Sequence, residues 1–185
     1  MTKNKNDLPL EKLAKVFPII LSDYDPKWQN LFEEEKKLLL SSLHNQINNV
    51  VHIGSTAIPG MKAKPTIDIL LEIKDDTNLE TLKTALRKLG YSTTHDAKRP
   101  PPHLTLIKGY SMQGATGQTY HLHIRYKNSR DEIIFRDYLK ENPKAHKDYK
   151  ELKELLAKQY RCDRKGYSEA KTDFVVSAVN KAKKF

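Results

Sequence analysis

Residues 52–69 run His52-Ile53-Gly54-Ser55-Thr56-Ala57-Ile58-Pro59-Gly60-Met61-Lys62-Ala63-Lys64-Pro65-Thr66-Ile67-Asp68-Ile69. Val50-Val51-His52-Ile53 has the composition of a strand, Gly54-Ser55 stops it, Pro59-Gly60 turns a loop, and Thr66 to Ile73 supplies a second strand. Successive strand residues alternate faces, so Ile67, Ile69, Leu71 and Ile73 are expected in the core while Asp68 and Glu72 point the other way. A glycine lets backbone approach a phosphate, a hydroxyl and nearby N–H groups bond its oxygens, and a carboxylate holds the cation that such phosphates carry. Gly54, Ser55 and Thr56 are therefore the candidate phosphate-binding turn. Asp68 and Ser55 are the candidate catalytic residues, Asp68 as a metal ligand, and Lys64 is placed to neutralise a phosphate. Any tight turn also uses glycine and serine, so the pattern alone leaves a structural turn open.

Working outward, Asp25-Pro26 reads as a helix start, followed by Trp28, Leu31, Phe32, Leu38 and Leu39 at helical spacing. That stripe is expected to pack on a sheet with its aromatics in the core, interrupted only by Glu35. Before it, Pro18-Ile19-Ile20-Leu21 suits a short edge strand, and residues 1–17 read as a loosely ordered segment. A helix is expected from Thr77 to Leu89, closed by Gly90, then a short strand from Tyr91 to Thr94. His103 to Ile107 and Thr119 to Tyr126 read as a hairpin with a long connection through Gly109 to Gly117. Arg99 and the Pro100-Pro101-Pro102 run precede it as loop. The remainder reads as three helices, from Arg130 to Lys140, from Asn142-Pro143 to Tyr160, and from about Tyr167.

His121 and His123 alternate with Leu122 and Ile124, so both imidazoles fall on one strand face and can converge on one site. Alternating histidines that merely cover a half-exposed sheet face are the competing reading. Two histidines with Asp68 make a donor set suited to zinc, manganese or iron more than to magnesium. Lys171 lies four residues after Tyr167 and three before Phe174, at the edge of an apolar stripe, so it either covers core or reaches the pocket. His52 at a strand end reads as a structural hydrogen-bonder. Cys162, the single cysteine, has no partner for a disulfide or a thiolate metal site and sits in a turn.

Four motifs in order are similar to the GrpB family. They are the 52–69 signature; Asp23-Tyr24-Asp25-Pro26 with Trp28 and Phe32; His121-Leu122-His123-Ile124; and the tail from Phe135-Arg136-Asp137-Tyr138-Leu139 through Asp163-Arg164, Tyr167, Lys171 and Phe174. The resemblance covers about residues 18 to 180. It implies an α/β (α+β) chain, with a nucleotidyltransferase-like mixed β-sheet packed with helices and a helical C-terminal third. It also implies His-x-His beside the Asp68 strand and Gly54-Ser55 at a nucleotide pocket; a length of 185 residues suits one ordinary domain, expected over residues 18–185. Active nucleotidyltransferases use two acids separated by one residue; here that second position is Leu70, and Glu72 lies roughly 13 Å along the strand.

The functional expectation is metal-dependent nucleotidyl transfer from a nucleoside triphosphate to an unknown acceptor. Asp68, His121 and His123 hold a divalent magnesium, manganese or zinc ion, and Gly54, Ser55, Thr56, Lys64 and Lys171 hold phosphate. The alternatives are a non-catalytic nucleotide- or metal-binding module and a metal-dependent phosphohydrolase using Asp68, His121 and His123. Lysine and arginine number 33 against 23 acids, a net charge of +10 that attracts any polyanion. Nucleic acid has only the basic tail in its favour. No run approaches the roughly 18 apolar residues a membrane span needs, and the first residues lack a signal-peptide core, so a cytoplasmic protein is expected.

Overall fold

The computed structural model describes residues 18–94, 104–111, 114–127 and 130–184. Helix α1 (Lys27–Leu43) is followed by strands β1 (Ile47–Ile53) and β2 (Thr66–Ile73), helix α2 (Leu79–Lys88), and strands β3 (Ser92–Thr93), β4 (Leu104–Ser111) and β5 (Gly114–Tyr126). Helices α3 (Asp131–Glu141), α4 (Pro143–Gln159), α5 (Arg164–Glu169) and α6 (Thr172–Ala182) complete the chain. The strands form one mixed sheet in the order β1-β2-β5-β4-β3, in which β2 and β5 run parallel and the other pairs antiparallel. This is the mixed sheet packed with helices, and the helical C-terminal third, that the sequence implies.

Local chemistry explains the boundaries. The Asp25 carboxylate accepts the Lys27 N–H at 2.9 Å, satisfying one of the donors a helix start leaves over. Asn78 does the same for α2, accepting from Glu80 and Thr81. The alternation of β2 sorts its residues as expected. Ile67, Ile69, Leu71 and Ile73 are fully buried against Trp28, Phe32, Leu39 and Leu43 of α1 and Leu82 and Leu86 of α2. Burying such side chains stabilises by roughly 1.5–3 kcal/mol each, so this face anchors the fold. A second cluster joins Ile58 and Met61 of the loop to Leu139 and Tyr149, with Phe135 and Phe174 packed on it. It fixes the C-terminal helices to the loop after β1.

Glu35 does not interrupt the α1 stripe by facing water. It is 5% exposed, and its two carboxylate oxygens accept from Lys108 Nζ at 2.8 Å each, with Tyr91 donating at 3.0 Å.

Three expectations are corrected. Residues 18–21 form no strand: Ile19 instead buries against Leu156 and Tyr167, its N–H bonds the Arg161 carbonyl, and only Ser22 makes a bridge, to Ala63. The long hairpin connection is absent, because β4 continues to Ser111 and β5 begins at Gly114. Gly109 marks a bulge there, at φ 84° and with a would-be Cβ 2.1 Å from the Gln118 carbonyl oxygen. The final helix is two, because Asp163 caps α5 by accepting the Gly166 N–H at 2.9 Å and the chain breaks before α6. The readings made for residues 1–17, Arg99, the triple proline and His103 lie outside the described residues.

Candidate metal and phosphate site

The parallel pairing of β2 with β5 sets Asp68 opposite His121 and Leu70 opposite His123. With the odd residues of β2 in the core, Asp68 emerges on the opposite face, where His121 and His123 also point. Asp68 Oδ1 lies 3.1 Å from His121 Nδ1 and 3.5 Å from His123 Nε2. One ligating atom from each of the three residues falls within 4.8 Å of the others. Metal bonds to such groups are about 2 Å, so small side-chain rotations bring this set onto one ion. One carboxylate and two imidazoles suit a borderline divalent metal.

The protonation pattern agrees with that use. Burial works to raise the Asp68 pKa, and the hydrogen bonds and charge of His121 and His123 overcome it, holding the carboxyl well below the usual range. Burial pushes His121 below its ordinary value against the opposing pull of Asp68. A carboxylate therefore faces a neutral imidazole, the form that ligates metals. Tyr110, on β4, stacks on His121 with its hydroxyl 2.8 Å from Nε2. In one tautomer Nδ1–H donates to Asp68 and Tyr110 donates to Nε2. In the other, Nδ1 is open to a metal and Nε2–H donates to Tyr110, as the outer partner of a metal-bound histidine does.

Gly54 closes the site from the end of β1. Its φ of 70° is left-handed, and a Cβ there would sit 2.4 Å from Asp68 Oδ2. Glycine is required twice at this position, by conformation and by the nearness of the carboxylate. Ser55, next along, lies within hydrogen-bonding reach of Tyr149, whose hydroxyl burial pushes above its ordinary value. Thr56 lies deeper: 2% exposed, its hydroxyl donates to the Thr66 carbonyl at 3.2 Å and meets His52 Nε2 at 3.0 Å. His52 is on the α1 side, stacked on Phe32 at 4.7 Å, and burial takes it down to about 4, so it is a neutral structural residue.

Lys64 and Lys171 come together over Tyr167, with their Nζ atoms 5.7 and 4.1 Å from its ring centroid. Burial, then Arg164 and Lys171, takes Lys64 down to about 8. Burial also takes Lys171 down to about 8, opposed by Asp68. Leu70, where a second acid would stand, is fully buried, and Glu72 is 5% exposed and paired opposite Arg125, away from the histidines.

Two residues of the site went unread in the sequence. Tyr110 carried no signal, since its role depends on a hairpin longer than the pattern suggests. Lys153 carried one: it falls four residues after Tyr149 and three before Leu156, on the buried stripe of α4.

A mixed α/β sheet with an Asp-His-His cluster on its free face, closed by a Gly-Ser turn and basic C-terminal helices, defines the class. The chain belongs to the GrpB family, whose model, described as GrpB protein, matches residues 18–181. It is 33% identical over 170 residues to the Glutamate-rich protein GrpB of Alkalihalophilus pseudofirmus, covering 88% of this chain and 94% of that protein. It is also similar to the crystal structure of GrpB from Enterococcus faecalis, with a TM-score of 0.75 and 30% identity over 88% of this chain and 96% of that one. A more distant relative is a dephospho-CoA kinase of Mycobacterium leprae, 25% identical over 197 residues; the match takes in 93% of this chain and 48% of that protein. Among the described residues no helix is long and apolar enough to cross a membrane.

Proposed function

We propose that this chain is a metal-dependent enzyme of nucleotidyltransferase type, acting on a nucleoside triphosphate and an acceptor. The reading is carried by the Asp68, His121 and His123 donors, which lie within 4.8 Å of one another on a face bordered by lysines. Asp68, His121 and His123 would hold the ion, which supplies charge neutralisation and polarisation at a phosphoryl oxygen. Tyr110 orients His121. Gly54 lets the loop close against Asp68, and Ser55 together with Lys64 and Lys171 faces the phosphates.

A metal-dependent phosphohydrolase is the second reading, favoured by one observation: Leu70 fills the place of a second carboxylate, leaving the site a single acid and two imidazoles. Calorimetric titration of zinc and manganese into wild type, Asp68→Asn and His121→Ala tests the metal reading. Both variants are expected to lose binding at least tenfold, and unchanged affinity in both sinks it. Product analysis with a nucleoside triphosphate then separates the chemistries. Pyrophosphate release supports nucleotidyl transfer, orthophosphate release supports hydrolysis, and binding with neither product supports a non-catalytic module.

A further inference from the structure

Lys153 is 2% exposed, and its Nζ donates to the Lys62 carbonyl while lying 5.4 Å from the centroid of the Tyr149 ring. An ammonium has three donors. Among the described residues no carboxylate lies within ion-pair distance of Lys153, Lys64 or Lys171, whereas exposed lysines of the C-terminal helices are paired, Lys144 with Asp148 and Lys165 with Glu169. Lys64 and Lys171 share one ring, with their Nζ atoms 5.7 and 4.1 Å from the Tyr167 centroid. Burial, followed by the charges of Lys171 and Lys64, takes Lys153 down to about 7, and only Asp68 opposes this. The lysines are held by aromatic faces instead of acids: Tyr149 under Lys153, and Tyr167 under both Lys64 and Lys171. Arg164 lies 5.9 Å from the Tyr110 ring centroid, beside the same cluster.

Three lysines seated on aromatic rings, with no carboxylate in ion-pair reach among the described residues, leave an excess of positive charge. Tying a loop to a helix would need only a neutral donor at Lys153, so a purely structural role does not call for this arrangement. A buried cation stays charged when an anion joins it. We propose that Lys64, Lys153 and Lys171, seated on Tyr167 and Tyr149, form a cradle for an oligophosphate chain, so that the ligand class is a di- or triphosphate and not a phosphate monoester. This rests on the reading that the site takes a phosphate ligand, and it adds Lys153 as a binding residue.

The test is calorimetric titration of orthophosphate, pyrophosphate and tripolyphosphate into the full chain, with and without manganese. Tripolyphosphate is expected to bind at least tenfold tighter than orthophosphate. Lys153→Met and Lys171→Met should each weaken it by roughly ten- to a hundredfold, the worth of a charge-assisted hydrogen bond. Lys165→Met, which makes the same change in net charge outside the cradle, should leave it unchanged. If Lys153→Met does not fold, Lys171→Met and Lys64→Met, at less buried positions, carry the comparison. Equal affinity for orthophosphate and tripolyphosphate, or lysine variants that bind as wild type does, overturns the cradle. Metal binding without oligophosphate preference defeats the cradle alone; oligophosphate binding in a chain that takes no metal defeats the metal reading alone.

Discussion

Two charged clusters lie on opposite faces of one sheet. On the α1 face, Glu35 receives two bonds from Lys108 and one from Tyr91, and Lys108 lies over the Tyr91 and Tyr120 rings. Acid and base match one to one and their oxygens and protons are used within the protein. On the other face, Asp68 is shared by two histidines, and Lys64, Lys153 and Lys171 have aromatic rings beneath them and, among the described residues, no acid in ion-pair reach. Both clusters combine lysine, tyrosine and a carboxylate. The balanced one holds the fold together, and the unbalanced one keeps donors and charge for something outside the chain.

The largest effect should come from unbalancing the closed cluster. Glu35→Ala leaves Lys108 and the Tyr91 hydroxyl without their acceptor and is expected to cost about 3–5 kcal/mol in urea denaturation. A loss under about 1 kcal/mol would mean that Lys108 simply turns to water.

The open cluster should answer in the opposite sense. Lys153→Met removes a buried charge that has no acid and should stabilise the ligand-free chain by on the order of 2 kcal/mol near neutral pH. The pH dependence has a fixed sign. Lys153 is lowered to about 7, and Lys64 and Lys171 to about 8, from an ordinary 10.5. Between about pH 7 and 10 the unfolded chain therefore binds more protons than the folded one, and stability rises with pH. Below that window both states are protonated and the full penalty of burial applies. Thermal denaturation of the ligand-free protein should show the rise in wild type and a smaller one in Lys153→Met; a flat wild-type profile would contradict the open cluster.

Tyr110→Phe sharpens the metal half of the site. It keeps the ring on His121 and removes the hydroxyl at Nε2, so metal affinity is expected to fall about tenfold with little change in melting temperature. An unaltered affinity would make Tyr110 a packing residue. The smallest effect belongs to a pair outside both clusters: Lys165 and Glu169 are 3.7 Å apart and mostly exposed. Lys165→Ala should move stability by no more than about 0.5 kcal/mol.

Much of this was readable along the chain. The period-two pattern of residues 66–73 sorted core from site, because strand alternation is a local property of the backbone. The helical stripe of Trp28, Phe32 and Leu39 was legible for the same reason. Glu35 broke that stripe in sequence but not in space, since its partners Lys108 and Tyr91 lie 73 and 56 residues away. Gly109 and Gly117 suggested a loop, whereas the Gly109 backbone serves a bulge against Gln118 that only strand pairing creates.

The sequence by itself determined the strand faces and the chemistry available at Asp68, His121 and His123, because alternation and residue type act within a few residues; the need for glycine at Gly54 came from the Asp68 carboxylate that the fold brings against it. Tertiary structure decided which of these groups meet. The parallel register that sets Asp68 against His121, the meeting of Lys64 and Lys171 over Tyr167, and the bond from Lys153 to the Lys62 carbonyl all depend on contacts between segments distant in the chain. Such contacts form only when burial of the α1 face and of the Tyr149 cluster fixes the sheet and helices in place, and no local periodicity encodes that placement.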